Sequence, residues 1–315
     1  MARRTLGPAT MQVADAVRRA LTAHVDPSRP LLVGCSGGAD SLALVAGVVE
    51  AVRRDPRPAR VLVVDHGLQP GSSDVADRAA ARCRDLGLAA DVTTVVVDGP
   101  GGPEAAARRA RHDALTAEAT HDGAVVLLGH TLDDQAEQVL LGLARGSGPR
   151  SLAGMALLRG DVLRPLLGLR RSTTGACCAE LGLEPWEDPT NADPALTRSR
   201  VRHRVLPVLE AELGPGVAEA LARTAELCRA DADALDQQAD ALPTGERLDC
   251  AALAPLTDAV RRRVLRRWLV TRGSDQPAHT HVLAVDALVT GWRGQGPVHV
   301  PGVTVRRVDG RLTTG

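Results

Sequence analysis

Lysine, isoleucine, phenylalanine and tyrosine are missing from all 315 residues, and Asn191 is the lone asparagine. Without lysine there is no Schiff-base chemistry, no lysine nucleophile and no phosphate loop of the kind that ends in GK[ST]. Without isoleucine and phenylalanine the core must be built from Leu, Val and Ala. Three tryptophans are the whole aromatic complement, so base stacking cannot be a general strategy for holding nucleic acid. The six cysteines (Cys35, Cys83, Cys177, Cys178, Cys228 and Cys250) form no C-x-x-C pair and no regular spacing. That pattern argues against zinc, iron–sulfur or a disulfide framework and for reduced thiols. Net charge is absent too: 38 basic and 38 acidic side chains cancel, so any polyanion site must come from charge segregated along the chain. No apolar run approaches the roughly 18 residues of a membrane span, and none follows the arginines of MARRTLGPAT. A soluble, cytoplasmic protein with no membrane partner is expected.

The length fits two domains. Over the first two-thirds, short Val/Leu runs alternate with Ala/Arg-rich amphipathic stretches, the pattern of a parallel sheet with crossover helices. Strands are expected at Leu31–Gly34, Val61–Asp65, Val92–Val97 and Val125–Gly129, with a weaker one at Val162–Leu166. Helices are expected at Thr10–His24, Asp40–Arg53, Ser73–Leu86, Pro103–Thr120 and Leu132–Arg145. The rhythm breaks into a Pro-containing, arginine-rich connector at Glu187–Leu206, then resumes as helices at Val217–Leu235 and around the arginines after Leu256. The tail alternates around PG and DG turns as a small hairpin does. The predicted fold is α/β, a doubly wound parallel sheet in 1–210, joined near Pro207–Gly216 to a smaller, mainly helical domain in 211–315 that ends in a hairpin.

In such a sheet, ligands bind beyond the carboxyl ends of the strands where the strand order reverses. Three polar clusters fall on that edge: SGGADS (Ser36–Ser41), VDHG (Val64–Gly67) and GHTLDDQAEQ (Gly129–Gln138). Gly37 and Gly38 let backbone N–H groups close on an anion, and the following helix offers its positive end, which describes a phosphate cradle. Ser36 and Ser41 can donate to the same oxygens. Asp40 suits either a metal bridging it to phosphate or a helix cap. On the helix after the fourth strand, Asp133 and Glu137 share one face and Asp134 and Gln138 the next, with His130 just ahead. Taken singly, SGGADS is as readily a tight strand-to-helix turn as a site, and LDDQAE reads as acids partnering a helix dipole; convergence on one edge favours a site.

SGGADS resembles the SGGxDS loop of the N-type ATP pyrophosphatases, the PP-loop family. Further segments narrow the resemblance: VVDHGLQ (63–69), EAAARRARHDAL (104–115), GHTLDDQAEQVLLGLARGSG (129–148), LAGM (152–155), LRPLL (163–167) and WEDPTNADPALTRSRVRHRVLPVL (186–209). In that order and spacing they resemble the tRNA(Ile)-lysidine synthase family across most of 31–209. LTDAVRRRVLRRWLVTRG (256–273) is similar to that family's helical substrate-binding domain. Gln69, His112 and Gln138 depart from residues frequent in the family, arginine, tyrosine and threonine respectively. The extra C-terminal domain of longer members has no counterpart, so a short form is expected.

The resemblance implies a ligase that adenylates the wobble cytidine in the CAU anticodon of isoleucine tRNA with ATP, then lets free L-lysine displace AMP. It implies ATP and Mg²⁺ as cofactors, isoleucine tRNA and lysine as partners, and a homodimer among the assemblies open to it. Ser36, Gly37, Gly38, Ala39, Asp40 and Ser41 would hold the phosphates, with Asp65 and His66 on the nucleotide side. Asp40 and Asp134 would hold magnesium, and Asp133 or Glu137 the ammonium of lysine. His130 would orient the base or accept a proton, and Arg109 and Arg111, with Arg108, would stabilise phosphoryl charge. Arg198, Arg200, Arg202 and Arg204, and Arg261, Arg262 and Arg266 with Arg263 and Arg267, are tRNA phosphate contacts or solvated faces. Trp268 reads as core. Another PP-loop tRNA enzyme, such as a thiolase, and an inactive nucleotide- or RNA-binding module are the alternatives.

Overall fold

In Leu31–Cys35 every side chain but that of Gly34 is buried, and alternate residues face opposite sides of one sheet. Leu31, Val33 and Cys35 enter one apolar cluster and Leu32 another, so this strand lies between two helical layers. The computed structural model describes residues 6–98, 102–146, 148–242 and 244–315. The N-terminal arginines Arg3 and Arg4, read above as no targeting signal, lie outside the described residues.

The chain divides into two compact units, Met1–Glu226 and Leu227–Gly315. The first opens with α1 (Pro8–His24), β1 (Leu31–Cys35), α2 (Ala39–Arg54), β2 (Ala59–Asp65), α3 (Ser72–Leu86) and β3 (Ala89–Thr94). It continues with α4 (Pro103–Asp122), β4 (Val125–Leu127), α5 (Leu132–Ala144), α6 (Pro149–Leu152), β5 (Leu158–Arg159), β6 (Val162–Leu163) and α7 (Arg171–Leu181). A 3-10 turn (Pro189–Ala192) leads into α8 (Thr197–Arg200), a π-helical turn (Val201–Val205) and α9 (Leu206–Leu213).

The sheet order is β3-β2-β1-β4-β6-β5, parallel except for β5. The chain builds outward through β2 and β3, then crosses back to lay β4 on the other side of β1. The strand order therefore reverses between β1 and β4, which places the loops after those two strands side by side. Val13 and Val17 of α1, Leu42 and Val45 of α2 and Ala79 and Cys83 of α3 cover one face, while Leu115 and Ala119 of α4 cover the other.

The third strand sits three residues earlier than Val92–Val97. Its extent is set by pairing from Arg60↔Ala89 to Asp65↔Thr94, after which Val95 makes one more bond to the Asp65 carbonyl and Val96 is 88% exposed. The expected Val162–Leu166 strand is a two-residue pairing partner of β4, turned back on β5. Helix α7 and strand β5 are additions to the expected elements.

α10 (Val217–Asp240) runs unbroken through the division between the units, beyond the boundary expected at 207–216. The second unit adds β7 (Leu248–Asp249), α11 (Cys250–Leu253), α12 (Asp258–Thr271), α13 (His279–Thr290), β8 (Val298–Val300), β9 (Val303–Val308) and β10 (Arg311–Thr314). The tail forms hairpins at Pro301–Gly302 and Asp309–Gly310, and β7 extends them to an antiparallel sheet of order β7-β10-β9-β8. Asp309 and Gly310 both have positive φ, 48° and 75°, as a two-residue hairpin turn of this type requires. Trp268 is fully buried in this unit's core, and its Nε1–H donates to the Gly245 carbonyl at 3.0 Å. Among the described residues no helix is long and apolar enough to cross a membrane.

Candidate active site

The loop from β1 to α2 carries small residues because other chain segments press on it. Gly37 has φ +80°, its carbonyl accepts the Trp186 N–H at 2.9 Å, and a Cβ on it would lie 3.0 Å from that of Ala79. Gly38 is the N-cap of α2, and no side chain caps the helix. This decides the role of Asp40 and Ser36: neither caps the helix, so its positive end is left to a ligand. Ser41 ties the loop together, donating to the Gly38 carbonyl at 2.9 Å and accepting the Ser36 N–H at 3.2 Å. From the neighbouring strand, Gly129 comes so close that a Cβ there would stand 2.7 Å from the Asp40 carbonyl oxygen.

Asp40, Asp133, Asp134 and Glu137 are gathered by α7, a helix the sequence pattern does not announce. Arg171, its first residue, donates its backbone N–H to Asp133 Oδ2 at 2.7 Å. The Arg171 guanidinium donates to Asp40 Oδ2 (3.4 Å), Asp134 Oδ1 (2.9 Å) and Glu137 Oε1 (3.3 Å). The Thr174 hydroxyl donates to Asp40 Oδ1. Asp134 Oδ2 closes the capping box of α5, accepting the Thr131 N–H at 2.8 Å and its hydroxyl at 3.0 Å. Burial pushes the Asp40 carboxyl up from the ordinary range, opposed by Thr174 and Arg171. For Asp134 burial also acts upward, but Arg171 and Arg198 outweigh it and hold the carboxyl below that range.

Asp134 and Glu137, three apart and so on one face of α5, share the same arginines. Glu137 is fully buried and accepts from Arg198 Nε at 2.9 Å and Arg202 Nε at 2.8 Å as well as from Arg171. Its carboxylate anchors arginines and is closed to a lysine ammonium. RSRVRHR, expected as part of a connector, is helical, so Arg198 and Arg202, four apart, turn together onto the acids. Both guanidiniums are thereby engaged with acids, at 20% and 23% side-chain exposure. Arg200 caps nearby carbonyls of Pro194 and Ala195, and Arg204 is exposed.

A third group lies at the ends of β2 and β4. His66 and His130 each have a buried Nδ1 with no hydrogen-bond partner, and the charge of Arg111 bears on both. Burial lowers His66 and draws His130 from 6.5 down to about 3, with Asp134 opposing and Arg164 and Arg111 adding to the shift. Burial thus favours the neutral imidazole of His130. Arg111 is itself lowered by burial and by Arg108 and Arg198, so this corner is electropositive and suited to an anion. Arg109 is exposed on α4. Asp65 Oδ1 accepts the Gly67 N–H at 2.9 Å and so shapes the turn that carries His66. Gln69 reaches Asp188 at 3.4 Å, and Asp188 caps the 3-10 turn through the Thr190 N–H.

Residues 10–209 match the PP-loop domain family and residues 248–313 the TilS substrate binding domain family. The tRNA(Ile)-lysidine synthase of Leifsonia xyli subsp. xyli is 53% identical over 298 residues, 91% of this chain and 90% of that protein. Its namesake from Salinispora tropica is 52% identical over 323 residues, 98% of this chain and 97% of that one. The chain belongs to the tRNA(Ile)-lysidine synthase family. Among solved structures, the U34-tRNA thiolase NcsA from Methanococcus maripaludis matches with a TM-score of 0.60, over 70% of this chain and 80% of that one. At 20% identity that likeness concerns the fold alone.

The lysidine-synthase family's substrate-binding domain contains α12 and α13 here, and its arginines divide by partner. Arg261 is buried: its Nε donates to Asp286 Oδ1, its Nη1 to the Leu256 carbonyl and its Nη2 to Asp258 Oδ1, each at 2.6 Å. Held on three sides, it ties α12 to α13. Arg262 shares both acids, meeting Asp286 Oδ2 at 3.0 Å and Asp258 Oδ2 at 2.7 Å. Arg263 and Arg267 pair with Asp236 and Asp240. Arg266 is exposed, with one nitrogen on the Pro277 carbonyl at 3.0 Å, and it keeps the surface position a phosphate contact needs.

Proposed function

We propose that this chain ligates lysine to the wobble cytidine of the CAU anticodon of isoleucine tRNA, converting ATP to AMP and pyrophosphate. The observation that carries this reading is the meeting of the uncapped PP-loop helix with the acid and arginine cluster where β1 and β4 lie side by side. Membership in the family supports the substrate; the geometry supplies the parts.

The uncapped N–H groups at Gly38–Ser41 and the Ser36 and Ser41 hydroxyls hold phosphate oxygens, and Arg111 adds positive charge on the electropositive side. The O2 atom of cytidine attacks the α-phosphorus and pyrophosphate leaves. The lysine ε-amine then attacks C2, and AMP departs with the former O2. An anticodon base is single-stranded and can be turned into such a pocket without melting a duplex. His66 and His130, neutral and with free Nδ1 atoms, orient the base or ribose by hydrogen bonds. Asp133 faces the ammonium of lysine. Exposed Arg109, Arg204 and Arg266 grip tRNA phosphates, and free tRNA and lysine as substrates place the reaction in the cytoplasm.

Mg²⁺ fits the donor set. Asp40 and Asp134 offer hard oxygens to the two sides of one guanidinium, and Mg²⁺ is commonly held by one or two carboxylates completed by water and substrate phosphate. Bound there, it neutralises the charge that builds on departing pyrophosphate.

The test is incubation with ATP, Mg²⁺, radiolabelled lysine and an isoleucine tRNA transcript. Label on the RNA is expected, and pyrophosphate release should persist when lysine is omitted. Pyrophosphate release with no transfer of label under the full mixture would assign the adenylate to another nucleophile and reject the reading.

A further inference from the structure

The two carboxylates read as the magnesium pair are built alike. In Asp40, one oxygen is fixed by the Thr174 hydroxyl and the other is turned to Arg171 Nε at 3.4 Å. In Asp134, one oxygen is fixed by the Thr131 cap and the other is turned to Arg171 Nη2 at 2.9 Å. The two remaining oxygens meet neighbouring nitrogens of one guanidinium, so the Arg171 side chain lies between the two carboxylates, while Asp134 Oδ1 also accepts from Arg202 Nη2 at 3.2 Å. Arg171 is itself held there, because its backbone N–H is bonded to Asp133 and it begins α7.

Charge is balanced around that position. Asp40, Asp133, Asp134 and Glu137 are interleaved with Arg170, Arg171, Arg198 and Arg202, four carboxylates with four guanidiniums. A bare dication entering this cluster meets no net negative field and must displace an arginine that has nowhere else to place its charge. A dication arriving with a polyphosphate brings the exchange partner with it: the guanidinium can turn from carboxylate to phosphate oxygens, for which its planar fork is equally suited.

We propose that Arg171 is an internal counter-cation that occupies the metal position between Asp40 and Asp134 and makes divalent-cation binding contingent on nucleotide. This rests on the reading of Asp40 and Asp134 as the metal pair. Arg171 is a positioning residue in this scheme, and the coupling is reciprocal: what nucleotide does for metal affinity, metal does for nucleotide affinity.

The experiment titrates the full chain with Mn²⁺, following free Mn²⁺ by electron paramagnetic resonance, with and without α,β-methylene-ATP. After subtraction of the Mn²⁺ that the analogue binds in protein-free titrations at the same concentrations, the analogue should tighten Mn²⁺ binding to the native protein about tenfold or more, within the range usual for coupled sites. Arg171→Met should raise Mn²⁺ affinity without nucleotide by about the same factor and shrink the nucleotide effect, while Arg171→Lys, which keeps the charge, should stay near the native values. Equal Mn²⁺ affinity in the native protein with and without analogue overturns the proposal without recourse to any variant. So does a folded Arg171→Met protein, judged by its circular dichroism melt, that binds Mn²⁺ no better than native. Calorimetry of the analogue in EDTA separates these results from failure of the functional reading, in which the analogue would not bind at all.

Discussion

Gly129 stands so near the backbone of Asp40 that a Cβ would lie 2.7 Å from the Asp40 carbonyl oxygen and 3.2 Å from the Ser41 nitrogen. The obstruction is backbone, which cannot swing aside as a side chain can, so Gly129→Ala must push the start of α2 away from β4. A loss of about 1–3 kcal/mol in stability is expected, the usual cost of overpacking. Nucleotide affinity should fall with it, since the moved atoms are those of the phosphate cradle. Gly148→Ala is the control: it has open space around its position and ordinary φ, and should leave both unchanged. Thermal melts and calorimetric titration with ATP on the two variants check this.

His130 sets a pH dependence whose sign follows from its burial. Folded, it titrates at about 3, and free it titrates at 6.5. Between those values the unfolded chain takes up a proton that the folded chain refuses, so the His130 contribution to stability falls as pH falls. The slope is at most about 1.4 kcal/mol per pH unit for one proton. His130→Asn removes the titration, so the difference between native and variant urea-unfolding free energies should narrow steadily from pH 6.5 to pH 4. A constant difference across that interval would mean His130 is solvated and charged in the folded state.

Arg202 and Arg204 should separate two properties that the alternating pattern RSRVRHR merges. Arg202 holds fully buried Glu137, so Arg202→Ala should cost about 1.5–3 kcal/mol, as loss of a hydrogen bond to a charged group does. Arg204 is exposed, so Arg204→Ala should change stability by no more than about 0.5 kcal/mol. Its effect should instead appear in tRNA binding, with the salt dependence of log K shallower by about one. Filter binding at several salt concentrations, beside melts of both variants, decides this.

The sheet and its cradle were legible because their signals are local. Leu31–Gly34, Val61–Asp65 and Val125–Gly129 are apolar runs bounded by polar turns, and Gly37 and Gly38 interrupt the apolar pattern where the chain turns at positive φ against Ala79 and enters α2. What stayed hidden depends on partners far along the chain. The segment Arg171–Leu181 contains Thr173, Thr174 and Gly175, weak helix formers with little periodicity, and it becomes a helix because it docks on the acids of α5 and α2. Nothing near Arg171 in sequence signals that Asp134, 37 residues earlier, is its partner. RSRVRHR left its four arginines undivided for a different reason: alternate spacing assigns no faces until the segment is helical, where they sort into opposite ones. The neutrality of His130 is equally invisible, since burial belongs to the fold and not to the residue.

Arg261 and Arg266 differ most sharply among the arginines of α12. Arg261 is 4% exposed and paired with Asp286, which is equally buried, whereas Arg266 is exposed and five residues further along the same helix. Arg261→Ala leaves Asp286 with only Arg262 to balance it, and breaking a buried pair from one side costs about 3–5 kcal/mol. The second unit should therefore unfold at a lower temperature than the first, resolving two calorimetric transitions. Replacing both Arg261 and Asp286 by Met and Leu should restore most of the loss, because the penalty comes from the stranded carboxylate rather than from the missing attraction. Arg266→Ala should leave the melt alone and weaken tRNA binding with a smaller salt dependence. If Arg261→Ala melts like the native chain and instead loses tRNA affinity, its guanidinium faces the RNA, and the pairing with Asp286 does not hold in solution.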